Sequence, residues 1–552
     1  MPKFNYTAFV DNYDSTSFLN RDSGRFLLVA HIVLMLISFV GLFPVSLMLS
    51  IAKSPLHTPL HIVFLAVVAL GMIPIIIYSS QTTNLYPSSL HSWFGWVVLF
   101  LLVLHFAADQ FQTLLGWVLS KPPPAGGSGS VHVSPSSSHH LDDSVFASDY
   151  GFRYHPAPDG GREYVLETGH ADDLERLRQP HHPLTLEYRI QRTIATRCQP
   201  IRRALARLPE RLLTSLLLLS SVVFSLLNRP MIFIAYFQIL SGIVTATGMG
   251  QADKVYGLLA HFIKGSVFLW FGVLTFGRVL GAFANLGWAW NVRPPLPYSK
   301  LSFGARFFRC NIEMIESGLI FFYGITNIFM EHLGNKDGKW SHKDLQHVSI
   351  AFLYIGGGLC GLLYESSTIR SLFNAPLESG LGSLRSTLRM GSSRRGAMSS
   401  VVESRLSEPV QYGTSFNPFP LFTVFFTGVL MSQHQQATAL STTIHMQWGY
   451  LFCIGCLFRV ITYVTMYLSP PKSYYPARPI TEVLASFCLI AGGGVFISSS
   501  QQIVEAMLYR KLDAMFTMNL AVGFTALFMA WIMVCMAVKG WATMRHTGSM
   551  TA

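Results

Sequence analysis

About twelve stretches of this chain stay apolar over roughly the length that crosses a bilayer, and that leaves few folds open. A helix rises ~1.5 Å per residue, so ~20 apolar residues cover a ~30 Å hydrocarbon layer. The runs are Phe26–Ile51, Leu60–Ser79, Ser92–Leu115, Leu212–Leu226, Met231–Gly248, Val255–Phe283, Ile312–Met330, Val348–Tyr364, Leu421–Met431, Met446–Leu468, Ile480–Ser498 and Phe516–Val538. Leu212–Leu226 and Leu421–Met431 are short, so the expected count is about 10–12. The runs are continuous rather than alternating, which selects helices over a β-barrel. The expected fold is therefore all-α: a polytopic membrane helical bundle, integral and multi-pass, with the lipid bilayer as its first partner. Only 12% of the 552 residues are charged, against roughly a quarter in soluble domains. The net charge of +12 does not call for nucleic acid, because its arginines lie in loops between apolar runs, where they meet anionic lipid. Pro44 and Pro74 fall inside runs and mark expected kinks.

Composition divides the chain further. Residues 1–25 form a polar tail with no short apolar core and no small-residue cleavage site, so no cleaved signal peptide is expected and Phe26 opens a retained anchor. Residues 26–119 hold three apolar runs. Residues 120–207 open with Pro-Pro-Pro-Ala-Gly-Gly-Ser-Gly-Ser and end rich in arginine, the composition of a disordered, basic linker. Its histidines His139, His140, His181 and His182 could pick up stray metal, although a solvated linker is the plainer reading. Residues 208–366 and 418–552 carry the remaining runs, and the Ser/Arg-rich stretch 367–417 between them reads as a flexible loop. The seven cysteines show neither a disulfide framework nor zinc-ribbon spacing, and Cys453-x-x-Cys456 lies inside an apolar run as small buried residues. Sidedness carries a conflict. The arginines before Leu212, the basic loop from Ala284 to Cys310 and the second insertion each ask to be cytosolic, yet an odd number of runs separates the first from the others. The sequon Asn5-Tyr6-Thr7 favours an outside N-terminus.

The third run carries His91 and His105, 14 residues apart. At ~100° per residue the two directions agree to within ~40°, and they lie ~21 Å apart along the axis. One helix thus offers an imidazole near each side of the bilayer. With alternating helix directions, His31 lies at the depth of His91 and His61 at that of His105. His261 is a rival partner for His61. Depth-matched imidazoles on facing helices suit the axial positions of one or two b-type haems, which would pass electrons across the bilayer between a small-molecule or protein donor and acceptor. The plainer reading is that these histidines make interhelical hydrogen bonds.

His31-x-x-Leu34-Met35 followed by Gly41 and Pro44, together with His91-x-x-x-Gly95, resembles the first core helices of cytochrome b561-type proteins over roughly Phe26 to Leu119. The resemblance implies haem b held by histidines. That family uses four histidine-bearing helices, whereas only three are contiguous here.

The C-terminal two-thirds carries a second constellation. His261-Phe-Ile-Lys-Gly265 is followed by Arg278, Glu313-x-x-Glu316, Tyr323, Asn327, Glu331-His332, His347, the run Gly356–Gly358 with Gly361, Glu365, His434, His445 and Arg459. In this order the residues resemble the C-terminal domain of the fungal "yeast putative transmembrane protein" family, which follows a b561-like N-terminal module. The resemblance implies an architecture and carries no activity with it. Glu313 and Glu316 share a helix face. Glu316, Glu331, His332, His347, Glu365, His434 and His445 are candidate metal ligands, since carboxylate and imidazole suit zinc, iron or manganese. The same residues could instead form a proton or ion path, or a structural polar network with Arg278 and Arg459 as counter-charges. Glycines 356–358, 361 and 492–494 favour close helix contact. Three functions stay open: transmembrane electron transfer, ion or metal transport through the Glu/His set, and a structural or trafficking role.

Overall fold

The computed structural model describes residues 17–20, 23–83, 85–86, 89–119, 208–251, 254–295, 310–332, 340, 342–390, 414–433 and 436–546. The expected disordered linker, the sequon and His434 lie outside them. The described residues are helical, with no strand among them. In order the helices are α1 (Arg25–Ile51), α2 (His57–Gln81), α3 (Leu90–Leu119), α4 (Glu210–Asn228), α5 (Met231–Thr247), α6 (Lys254–Val279), α7 (Ile312–His332), α8 (His342–Glu365), α9 (Ser367–Met390), α10 (Phe419–Ser432), α11 (Ala439–Leu468), α12 (Ile480–Ser498), α13 (Gln501–Tyr509) and α14 (Ala514–His546). Nine of the described helices are long and apolar enough to cross a membrane, and α5 and α10 are shorter apolar helices. Each of the twelve expected runs falls on one helix.

The chain divides into two compact units, 1–248 with 534–552, and 249–533. In the first, α1 packs on α2, and α3 packs on α4 and α5. Their shared core is Phe39, Phe43, Phe64, Val68, Val98, Leu102, Met231 and Ala235. Pro44 acts as expected on its helix. It lacks the N–H that would bond one turn back, and the preceding segment Ile37–Leu42 widens to a π-helix that absorbs the defect. Pro74 sits inside the continuous α2.

In the second unit α6 packs on α12, α12 on α11, α11 on α10, α10 on α8 and α8 on α7. Glycine sets the closest of these approaches. A Cβ on Gly493 would stand 2.6 Å from the Gly265 carbonyl oxygen, and one on Gly449 would stand 2.6 Å from that of Gly428. Glycines 357, 358, 361 and 492 also face neighbouring helices, whereas Gly356 and Gly494 face open space. Small residues let backbones meet where lipid offers no hydrophobic drive.

The outward faces are apolar too. Trp93 and Phe100 are 66% exposed and Leu527 73%, a distribution that suits hydrocarbon and not water.

One expectation is corrected. The stretch from Ser367 is not loop throughout: 367–390 forms α9. Ile369, Phe373, Leu377, Leu381, Leu384 and Leu388 recur every three or four residues, so an amphipathic period underlies the Ser/Arg-rich composition. Residues 391–413 lie outside the described set.

Candidate functional site: two buried polar clusters

The first cluster lies in the first unit, at the end where α1 stops and α2 begins. His57 and His61 are one turn apart on α2, and His105 and Asp109 are one turn apart on α3. Such i, i+4 pairs share a helix face. Ser46 of α1 orients the α2 pair. His57 Nδ1 donates to the Ser46 carbonyl oxygen at 3.0 Å, and His61 Nδ1 lies 3.1 Å from Ser46 Oγ. Asn228, the last residue of α4, orients His105. Its amide nitrogen donates to Ser50 Oγ at 3.2 Å, which turns Oδ1 toward His105 Nε2, also at 3.2 Å.

The rings touch one another. The centroids of His57 and His61 are 5.3 Å apart, and those of His61 and His105 are 5.2 Å apart. Phe106 stacks on His61 and Phe224 on His105. His61 and His105 are each only 1% exposed. His57 Nε2 lies 3.5 Å from Asp109 Oδ2, while His61 Nε2 and His105 Nδ1 are buried with no hydrogen-bond partner.

His31 and His91 also come within electrostatic reach of one another. His31 Nδ1 donates to the Gly71 carbonyl oxygen at 2.8 Å, and His91 Nδ1 lies 3.0 Å from Ser241 Oγ. Of the two depth-matched pairs expected from helix geometry, His61 and His105 are in ring contact. His261, in the second unit, instead meets His445, with ring centroids 5.9 Å apart.

The second cluster lies at one end of the second unit. Arg278 sits in the last turn of α6, Glu313 and Glu316 in the first turns of α7, and Glu482 in the first turn of α12. Arg459 reaches them from α11. It donates to Glu482 through Nε and Nη2, at 2.9 Å for the shortest contact, and through Nη2 to Thr275 Oγ1 at 3.2 Å. Its Nη1 lies 3.5 Å from Glu316, which Arg278 meets at 3.7 Å on the other side. Arg278 also faces Glu313 at 3.7 Å and donates through Nε to the Trp288 carbonyl oxygen at 2.6 Å. The Trp290 ring covers the Arg278 guanidinium at 4.1 Å, and Trp290 holds a left-handed backbone, φ 51°, to do so. All five ionisable side chains are buried. They also tie α6 to α7, the two ends of the helix chain described above.

Among the described residues the expected metal set is not gathered as one group. Glu316 belongs to this arginine network. Glu365, at the end of α8, accepts from Asn311 and Ser415. His347 is half-buried on α8, and His445 donates to the Ser441 carbonyl oxygen at 2.8 Å. Glu331 and His332 close α7, but their side chains lie outside the described residues, as does His434. Among the described residues no three His, Cys, Asp or Glu side chains already stand where they could hold a metal ion.

Sequence reasoning missed His57, Asp109, Asn228 and Glu482. The signals were present: the spacing of four in His57-x-x-x-His61 and His105-x-x-x-Asp109, and an acidic residue opening an otherwise apolar run.

A helical chain with apolar outer faces and two buried polar clusters is an integral, multi-pass membrane protein. Comparison with known proteins is more specific. Residues 234–540 match the model "Protein YTP1-like, C-terminal", and the chain belongs to the YTP1-like family. Residues 11–114 match the model "Domain of unknown function (DUF2427)". The chain is 34% identical to "Uncharacterized membrane protein C3B8.06" of Schizosaccharomyces pombe over 94% of each chain. It is 33% identical to "Uncharacterized membrane protein YCR061W" of Saccharomyces cerevisiae over 96% of this chain and 85% of the relative. It is 22% identical to "Protein YTP1" of the same yeast over 41% of this chain and 38% of that one. No solved structure matches.

Proposed function

We propose that the protein is a proton-coupled membrane transporter whose proton-carrying site is the arginine–glutamate cluster of the second unit. One observation carries this reading: three buried carboxylates, Glu313, Glu316 and Glu482, share two guanidiniums, Arg278 and Arg459. An unpaired charge away from water is costly, so the surplus carboxylate favours a proton or cation partner. Glu313 is the group to carry it. Its ion pair is a single 3.7 Å approach to Arg278, whereas Glu482 is held by several hydrogen bonds. Because the cluster joins α6, α7, α11 and α12, gain or loss of that proton alters how four helices are tied, the kind of bistable element that alternating access requires.

The test is a pH step applied to proteoliposomes on a solid-supported membrane. Wild-type protein is expected to give a transient current as the site exchanges its proton, and Glu313→Gln to abolish most of it. Wild-type current no larger than that of protein-free vesicles sinks the reading.

A specific observation favours a second reading, electron transfer through haem b. His31 and His91 each commit Nδ1 to a hydrogen bond, which leaves Nε2 as the free nitrogen, as in axial ligands oriented by an outer hydrogen bond. Haem held there would supply one-electron transfer to a small-molecule or protein partner. His61 and His105 fit a macrocycle less well, because their rings are already in contact and His105 Nε2 is taken by Asn228. A reduced-minus-oxidised spectrum of purified protein with a b-type α band, lost in His91→Ala, supports haem. Folded, haem-supplied protein without that band counts against it.

A further inference from the structure

We propose that His57, His61, His105 and Asp109 form a binding site for one divalent first-row transition-metal ion, of the zinc or iron class, inside the first unit. The inference goes beyond the transport reading: it lies in the other unit and uses none of its residues.

Three observations carry it. First, the donor set comes from two helices, each with an i, i+4 pair, and its members meet in series: Asp109 with His57, His57 with His61, and His61 with His105. Second, the outer hydrogen bonds set which nitrogen is left over. The Ser46 carbonyl takes the Nδ1 proton of His57, and Asn228 takes the Nε2 proton of His105. His57 Nε2 and His105 Nδ1 are then lone-pair donors, and His61 Nε2 is buried without a partner. Orphaned buried ring nitrogens are costly, and the orienting bonds on their far sides are the ones metal-binding histidines use. Third, the spacing suits an ion. Two ligand atoms ~2.0–2.1 Å from a tetrahedral ion stand ~3.4 Å apart, and two imidazoles bound to it have ring centres roughly 5 Å apart. His57 Nε2 and Asp109 Oδ2 are 3.5 Å apart, and successive rings are 5.3 and 5.2 Å apart.

The four donors do not yet converge on one point, and among the described residues no such group is placed to hold an ion as it stands. Closure asks the imidazoles and Asp109 to turn together; Asp109 is 15% exposed, and its Oδ2 also accepts from Gln110 Nε2 at 3.0 Å. Imidazole with one carboxylate is a donor set for zinc and iron rather than for calcium or magnesium.

The experiment uses the full chain in detergent, stripped with a chelator and titrated with Co²⁺, with bound Zn²⁺ then counted by mass spectrometry. A background variant replaces His132, His139, His140, His155, His170, His181 and His182 with serine, so that linker histidines cannot contribute. The expected result in that background is one ion per chain, visible Co²⁺ bands of tetrahedral strength, and their displacement by Zn²⁺. His61→Ala and the isosteric Asp109→Asn are expected to weaken binding about 100-fold. Asn228→Ala, which keeps every donor, weakens it ~10–100-fold through the lost outer hydrogen bond. His31→Ala leaves it unchanged. The proposal is overturned if the background variant binds no stoichiometric ion, or if binding survives in a folded His61→Ala, His105→Ala double variant.

Discussion

At the scale of single residues, the second unit turns on Arg459. Its guanidinium bonds Glu482 and Thr275 and lies within reach of Glu316, and it is only 6% exposed. Arg459→Ala strands Glu482 in an apolar interior and leaves Glu316 to Arg278 alone, and breaking a buried ion pair from one side costs about 3–5 kcal/mol. We expect Arg459→Ala to lose most folded protein in detergent, measured as monodisperse yield and unfolding temperature. Arg459→Ala combined with Glu482→Gln, which removes a stranded charge as well, is expected to recover part of the loss. Equal losses in the single and double variants would show that the pairing contributes nothing. Residue type and spacing, on which the ligand roles expected for Glu316 and Glu365 rest, do not say what a carboxylate will face. Glu316 faces arginines from α6 and α11, residues far from it in sequence.

At the scale of helices, glycine position decides which pairs can close. Gly493 and Gly494 are neighbours in sequence, yet only Gly493 meets a facing backbone. Gly493→Val is expected to separate α6 from α12 and abolish folding, while Gly494→Val is tolerated, both read by size-exclusion profile and thermal stability. The glycine-rich runs were legible as contact surfaces from the sequence. Which glycine of each run touches was not, because that depends on helix rotation. The histidine helix shows the opposite case. His91 and His105 share a face by period alone, and α1 and α2 bring His31 and His61 to matching depths. His57 and Asp109 escaped notice because attention to haem selects histidines a membrane apart, whereas an ion site selects pairs one turn apart.

At the scale of the whole molecule, the apolar outer faces set the behaviour. The protein is expected to stay in the pellet on alkaline carbonate extraction, and release into the supernatant would contradict the membrane assignment. Phe100, midway along α3 and 66% exposed, faces outward. Phe100→Arg is expected to cost about 2.5–3.5 kcal/mol of insertion free energy, seen as a reduced inserted fraction in a glycosylation-mapping assay.

The sequence by itself determined that the chain is an all-helical, multi-pass membrane protein, and where its spans lie. Hydrocarbon thickness and backbone hydrogen bonding act on each run separately, so local apolar length is enough. Even α9 was readable from its period, though its Ser/Arg-rich composition masked it. Only the tertiary structure decided which polar side chains meet. It placed Glu482 and Glu316 on the same arginine, three imidazoles in contact, and Asn228 behind His105. Those contacts join residues far apart in the chain, 143 positions between Glu316 and Arg459 and 123 between His105 and Asn228. They depend on the order, rotation and depth at which helices pack, quantities that no single run contains.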